Sequence, residues 1–104
     1  MVRQRELQAE LEGILGSRYV YFQPPASLKM NYPCFVYNRS RVETTKADNL
    51  SYIKQERYMI TFISRDPDEN LNMVHVMLEH FPKCMHDRFY TADNLSHDVF
   101  DLYY

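Results

Sequence analysis

Residues 34–64 read CFVYNRSRVETTKADNLSYIKQERYMITFIS, and this stretch decides the fold. Cys34 to Thr44 and Tyr52 to Ser64 are both rich in β-branched and aromatic residues, and the polar pentapeptide Ala47-Asp48-Asn49-Leu50-Ser51 separates them. Two strands joined by a corner give that pattern. The same five residues recur at Ala92 to Ser96, again between aromatic and aliphatic stretches. Asp and Asn tolerate left-handed backbone and hydrogen-bond their own main chain, so Asp48-Asn49 and Asp93-Asn94 turn the chain where glycine is missing. The sequence thus predicts a long hairpin at 34–64 that extends beyond the core. A shorter one is expected from about Asp87 to Thr91 and His97 to Tyr103.

Working outward, Tyr58, Ile60 and Phe62 alternate with Met59, Thr61 and Ile63, so this half of the second strand is apolar on both faces and belongs in the centre of a sheet. Ile53 to Glu56 is polar and expected to be exposed. Upstream, Leu7, Leu11, Ile14 and Leu15 recur at i, i+4, i+7 and i+8, one apolar stripe on a helix over residues 3–15 that Gly16 stops. Tyr19 to Phe22 is a short strand, and Gln23-Pro24-Pro25 an extended link. Downstream, Asp66-Pro67-Asp68-Glu69 is a helix start: a carboxylate cap, a proline in the first turn, and acids beside the positive end of the dipole. Leu71, Val74, Leu78 and Phe81 are expected to bury one side of that helix, which ends before Pro82. The order α-β-β-β-α-β-β predicts a single α+β domain, an antiparallel or mixed sheet with two helices packed on one face.

Composition bounds the function. The 104 residues, 45% of them hydrophobic, suffice for one core and not two. Nine Tyr and six Phe with no Trp suit sheet faces and subunit interfaces, where a ring buries apolar area while a hydroxyl stays wet. Two glycines leave little room for a phosphate-cradling loop, which needs bare backbone close to the anion. Cys34 and Cys84 have no cysteine close by in the chain, which fits a reduced, cytosolic setting. No apolar run approaches the ~20 residues that span a bilayer, and the Met-Val-Arg-Gln-Arg start has no signal-peptide character, so a soluble protein with no membrane partner is expected. The net charge is −2, but residues 1–60 hold nine Lys/Arg against six Asp/Glu (+3) and residues 61–104 hold three against eight (−5). Scatter over solvated faces accounts for this, as does a subunit whose two sides attract each other's copies.

The chemical candidates fall away one by one. Asp66, Asp68 and Asn70 have the first spacings of a calcium loop, but Leu71 stands where that loop needs Gly and Met77 where it needs Glu, which leaves a helix cap. His75 and His80, five apart, do not share a helix face as a spacing of four would give. A last hairpin can bring His86-Asp87 to face His97-Asp98, with Cys84 a further candidate for a metal cluster or a nucleophile. Neighbours on a strand point to opposite faces, so hydrogen bonding is the better reading than a metal cluster or an activated nucleophile. Basic residues interleaved with aromatics in Tyr37 to Arg41 and Lys54 to Tyr58 suit a nucleic-acid backbone, but Glu43 and Glu56 interrupt them. Sequence-specific DNA binding is not expected; non-specific contact with DNA passing through a lined passage is compatible with the pattern.

From about Met30 onward the chain resembles the small tail-terminator and head-tail joining proteins of long-tailed bacteriophages. The residues that carry the resemblance are Tyr32-Pro33-Cys34-Phe35-Val36-Tyr37, then Ala47-Asp48-Asn49 with Tyr52, and Arg57-Tyr58 leading into Ile63 to Asp68. Asp87-Arg88-Phe89-Tyr90 and Asp93 to Phe100 complete the set. The resemblance implies a small α/β fold that assembles as a ring, commonly a hexamer, at the head-proximal end of the tail tube, ending tube growth and offering a surface to the head. It implies as partners other copies of this chain, the major tail tube protein and a head-completion or connector protein, with a location in the virion tail or neck after assembly in the host cytoplasm. A connector layer nearer the capsid that contacts DNA is the neighbouring possibility. The resemblance brings no catalytic residue, metal or cofactor. On this reading the contact residues are Arg39, Arg41, Lys46, Asp48 and Asn49 on the long hairpin and Asp93, Asn94, His97 and Asp98 at the second corner; well-made turns account for both corners equally well.

Overall fold

The computed structural model describes residues 3–25, 27–46 and 52–104. The elements are α1 (Arg3–Leu15), β1 (Val20–Phe22), β2 (Cys34–Lys46), β3 (Tyr52–Ser64), α2 (Pro67–His80), β4 (Cys84–Ala92) and β5 (Leu95–Tyr103). The strands form one mixed sheet in the order β1-β2-β3-β5-β4, with β1 parallel to β2 and the other pairs antiparallel. This is the expected α+β order, and β3, the strand apolar on both faces, is central.

Pleating separates the two faces. Phe35 pairs with Phe62, Tyr37 with Ile60, Ile60 with Phe100, and Tyr58 with Leu102, so these side chains share one face. They form a single core with Leu7 and Leu11 of α1 and Met73 and Met77 of α2, which places both helices on that face. Tilted ring contacts, Phe35 to Phe62 at 5.2 Å and Tyr37 to Phe22 at 4.9 Å, run through it.

The stripe on α1 works as the sequence predicts: Leu7 and Leu11 are fully buried, with Ile14 and Leu15 against the core edge. Polar anchors fix the helix to the sheet. Gln4 donates to the buried Tyr37 hydroxyl at 2.6 Å, Tyr37 donates to Gln8 Oε1 at 2.5 Å, and Gln8 Nε2 donates to the Val20 carbonyl at 2.9 Å. Gly16, at φ +79, takes the left-handed position that ends the helix, and its N–H donates to the Glu12 carbonyl. At α2, the Asp66 carboxylate accepts from the Asp68 N–H at 3.0 Å with Pro67 following, so the expected cap is present.

The expected inner stripe of α2 is not the one observed. Asn70, Met73 and Met77 face the core and Phe81 follows them, whereas Leu71 and Leu78 are exposed and Val74 is half-buried. The buried row opens on a polar residue. Hydropathy therefore selects the adjacent, more apolar row.

The second corner is a two-residue loop closing Ala92 onto Leu95, with Asp93 at φ 53 and Asn94 at φ 61, both left-handed as a type I′ turn requires. The first corner, Ala47 to Ser51, lies outside the described residues.

Beyond the sheet, β2 and β3 continue as a pair. β1 leaves β2 at Tyr37, and β5 leaves β3 at Arg57. Five further rows, Val42 with Glu56 out to Lys46 with Tyr52, have no third strand. They make a two-stranded arm about 17 Å long at the usual rise per residue. A register shift between Arg39 and Arg41 marks its root. The arm lengthens the molecule: extents of 52 × 28 × 23 Å and a radius of gyration of 14.8 Å exceed the ~13 Å of a compact chain this size.

α1 and α2 also meet at the chain end. The Glu10 carboxylate accepts from the Tyr104 hydroxyl and lies 3.0 Å from His80 Nε2. The Tyr104 bond, opposed by desolvation and supplemented by His80, holds the Glu10 carboxyl below its usual 4.5. A depressed carboxyl stabilises the fold above its unfolded value and loses that contribution as pH falls through the folded one, so this clamp weakens below about pH 4.5. Tyr104→Phe should raise the Glu10 midpoint in an NMR titration; an unmoved midpoint would refute the assignment. At the turn, Asn94→Val should cost about 1–2 kcal/mol in chemical denaturation, because a β-branched residue resists left-handed backbone, while Asn94→Gly should not destabilise.

Candidate functional site

A bulge beside α2 helps form a groove with an apolar wall and a polar floor. The register of β4 on β5 shifts between His86 and Arg88, so His86 and Phe89, three apart, point to the same face. That face lies under α2. Pro67, Leu71 and Val74 of α2 and His86, Phe89 and Asp98 of the hairpin enclose a groove of about 410 Å³, a volume in the range of small-ligand and side-chain pockets.

Its floor is a connected polar network. Asp98, nearly fully buried, places Oδ1 2.7 Å from His86 Nε2 and accepts on Oδ2 from Asn70 Nδ2 at 2.9 Å. Asn70 Nδ2 also donates to the Ser96 carbonyl at 3.0 Å, and the Ser64 hydroxyl donates to Asn70 Oδ1. One asparagine thereby ties the first turn of α2 to the adjacent ends of β3 and β5. A buried polar network with all members engaged specifies one packing of helix on sheet. His86 is part-exposed and stacks edge-on against Phe100 at 5.4 Å.

The predicted contact residues separate into groups. Arg39 is exposed at the root of the arm and pairs with Glu56 at 3.2 Å. Arg41 and Lys46 belong to the arm through their backbone pairing with Arg57 and Tyr52. Asp48 and Asn49 lie outside the described residues. Asp93 and Asn94 form the exposed turn, and His97 stacks on Tyr90 at 4.6 Å with the rings nearly parallel. Asp98 does not reach the surface: its carboxylate is buried and engaged by Asn70 and His86. His86 and Asp98 do meet across the hairpin, whereas His97 occupies the opposite face and Asp87 sits in the bulge.

Asn70 anchors this network, and the spacing Asn70, Met73, Met77, Phe81 is its sequence signal: a second helical row whose first member needs polar partners. Both thiols are buried. Burial pushes Cys34 up to about 12 and Cys84 up to about 11, so both remain protonated at neutral pH. Among the described residues no three His, Cys, Asp or Glu side chains are grouped to hold a metal ion, and no helix is long and apolar enough to cross a membrane. The chain matches no protein-family model and no curated protein.

The network generates a prediction. Asn70→Leu strips Asp98 of a donor while keeping it buried, and should destabilise the protein by about 3 kcal/mol in urea titration. A loss below about 1 kcal/mol would mean the network carries little of the helix docking.

Proposed function

We propose that this chain is a structural virion protein that forms a ring at the head-proximal end of a long-tailed phage tail, ending tube growth and joining tail to head. The resemblance described above motivates the reading, and the arm is the observation that carries it. A two-stranded ribbon with both edges open is marginal in water by itself. A chain that projects five such rows past its own sheet presents backbone donors and acceptors suited to other subunits.

Symmetry is compatible with a ring: a heterologous contact between identical subunits closes when its rotation divides a full turn, with a hexamer the commonest case in the family resembled. The partners on this reading are further copies of the chain, the major tail tube protein and a head-completion or connector protein. Binding, not bond-making chemistry, does the work. At the arm's root Arg39 and Arg57 are engaged by Glu56 and Asp101, at 3.2 and 3.0 Å, which diminishes their use as phosphate contacts and favours protein partners over DNA.

Arg39→Glu combined with Arg41→Glu should weaken self-association at least about tenfold, read by analytical ultracentrifugation. The circular dichroism spectrum should not change, since an exposed ion pair contributes only about 0–1 kcal/mol. Rings as abundant as in the unaltered protein would remove the arm from the interface. A wild-type protein that stays monomeric at tens of micromolar, alone and with tail-tube protein, would remove the ring itself.

A further inference from the structure

Exposed large apolar side chains concentrate on two neighbouring elements, with Phe89 on the α2 side of β4 and Met85 and Tyr90 on the opposite face. Of the seven exposed large hydrophobics among the described residues, five lie on α2 and β4: Leu71, Leu78, Met85, Phe89 and Tyr90, between 41% and 63% exposed. β4 is also the last strand of the sheet, with its outer edge unpaired by any described strand, and all its residues after Cys84 are exposed. A nine-residue open edge displaying Met85, Phe89 and Tyr90 is the kind of strand that soluble proteins guard with charge, proline or a covering element. Here one acid and one base, Asp87 and Arg88 at the bulge, interrupt it.

We propose that the free edge of β4, with the groove between β4 and α2, is the socket for the arm of a second copy of this chain. The inference rests on the ring reading above and names the surface that closes it. Besides the short outer edge of β1, the described chain has two open β features of unequal character, the two-stranded ribbon at one end and the edge strand β4 at the far side of the sheet. Joining the ribbon of one copy to β4 of the next satisfies backbone groups on both and covers the exposed apolar side chains in the same step. Charge favours that orientation. Residues 39–57 hold five basic against three acidic side chains, +2, and residues 65–97, leaving out the buried Asp98, hold three against six, −3. The pairing of β4 with β4 of another copy would bring two acidic surfaces together and leave the arm open. The same negative sign repels nucleic-acid phosphates and anionic lipid headgroups from the socket. Because arm and socket are different surfaces, the contact is head-to-tail and generates a closed ring or a filament.

The test is a complementation. A socket variant, Phe89→Lys with Tyr90→Lys, alters two exposed side chains and adds the edge lysines that block strand pairing; an arm variant, Ile53→Glu with Lys54→Glu, reverses the ribbon. Each alone should be a monomer by analytical ultracentrifugation, with association weakened at least about tenfold. Mixed in equal amounts they should form a one-to-one heterodimer that grows no further, because only the socket variant's arm and the arm variant's socket still work. The heterodimer itself proves that both variants are folded. Closed assemblies from the socket variant alone would overturn the inference and leave the ring reading intact. An arm variant that still self-associates would overturn it in favour of β4 pairing with β4, and a mixture that remains monomeric would overturn it as well. Complementation in a protein that binds no tail component would sustain the socket and remove the tail reading.

Discussion

A β strand has hydrogen-bonding groups on both edges, and β3 satisfies both for only part of its length. Between Arg57 and Ser64 it lies between β2 and β5, in the middle of the sheet, with Tyr58, Ile60 and Phe62 fully buried beneath the helices. Before Arg57 it has β2 alone. The same strand thus serves as the most buried element of the core and as half of an unsupported ribbon. Everything else in the molecule follows this division: the helices and the short hairpin complete the inner half, and nothing in the described chain completes the outer one.

The transition is built into side chains. At the inner limit, Gln23 N–H donates to the Tyr37 carbonyl and the Gln23 side chain accepts from the Arg39 N–H at 3.4 Å, closing the β2 edge as far as the root of the arm. On the other side Tyr104 N–H donates to the Glu56 carbonyl at 3.0 Å, closing the β3 edge to the same level. Both edges open beyond that level. An edge left open over several rows on both sides is costly to a soluble monomer, because it templates unwanted pairing. The proposed assembly would pair such an edge with β4 of another copy.

Much of this was legible in the residues. The two β runs, the polar corner at Asp93-Asn94, the Asp66 cap and the Gly16 stop are local signals, written within a few positions of where they act. The bulge at Asp87 is not local. It moves Phe89 onto the face of His86, three residues away, and no period-two reading of β4 anticipates it. The strand also begins at Cys84, three residues before the expected Asp87, so Met85 was not read as part of an edge. On α2 two rows compete, and the chain buries the one with the polar leader because Asn70 finds Ser64, Ser96 and Asp98 waiting for it. A hydropathy stripe counts methylenes and cannot see partners supplied by strands 6 to 28 residues away.

That choice of row connects the interior to the surface. Turning Asn70, Met73 and Met77 inward sets Leu71 and Leu78 outward and Val74 at the lip of the groove. Had the more apolar row been buried, α2 would present asparagine and methionine to solvent, and the wall beside β4 would lose its leucines. The exposed apolar strip is therefore not a leftover of imperfect packing; a fully engaged polar network holds the helix in the one rotation that displays it. A buried network retained where an apolar contact was available, together with a leucine row left in water beside an open strand, is hard to reconcile with a domain shaped only for its own stability. On the proposed assembly, that row and that edge are the parts another copy would cover.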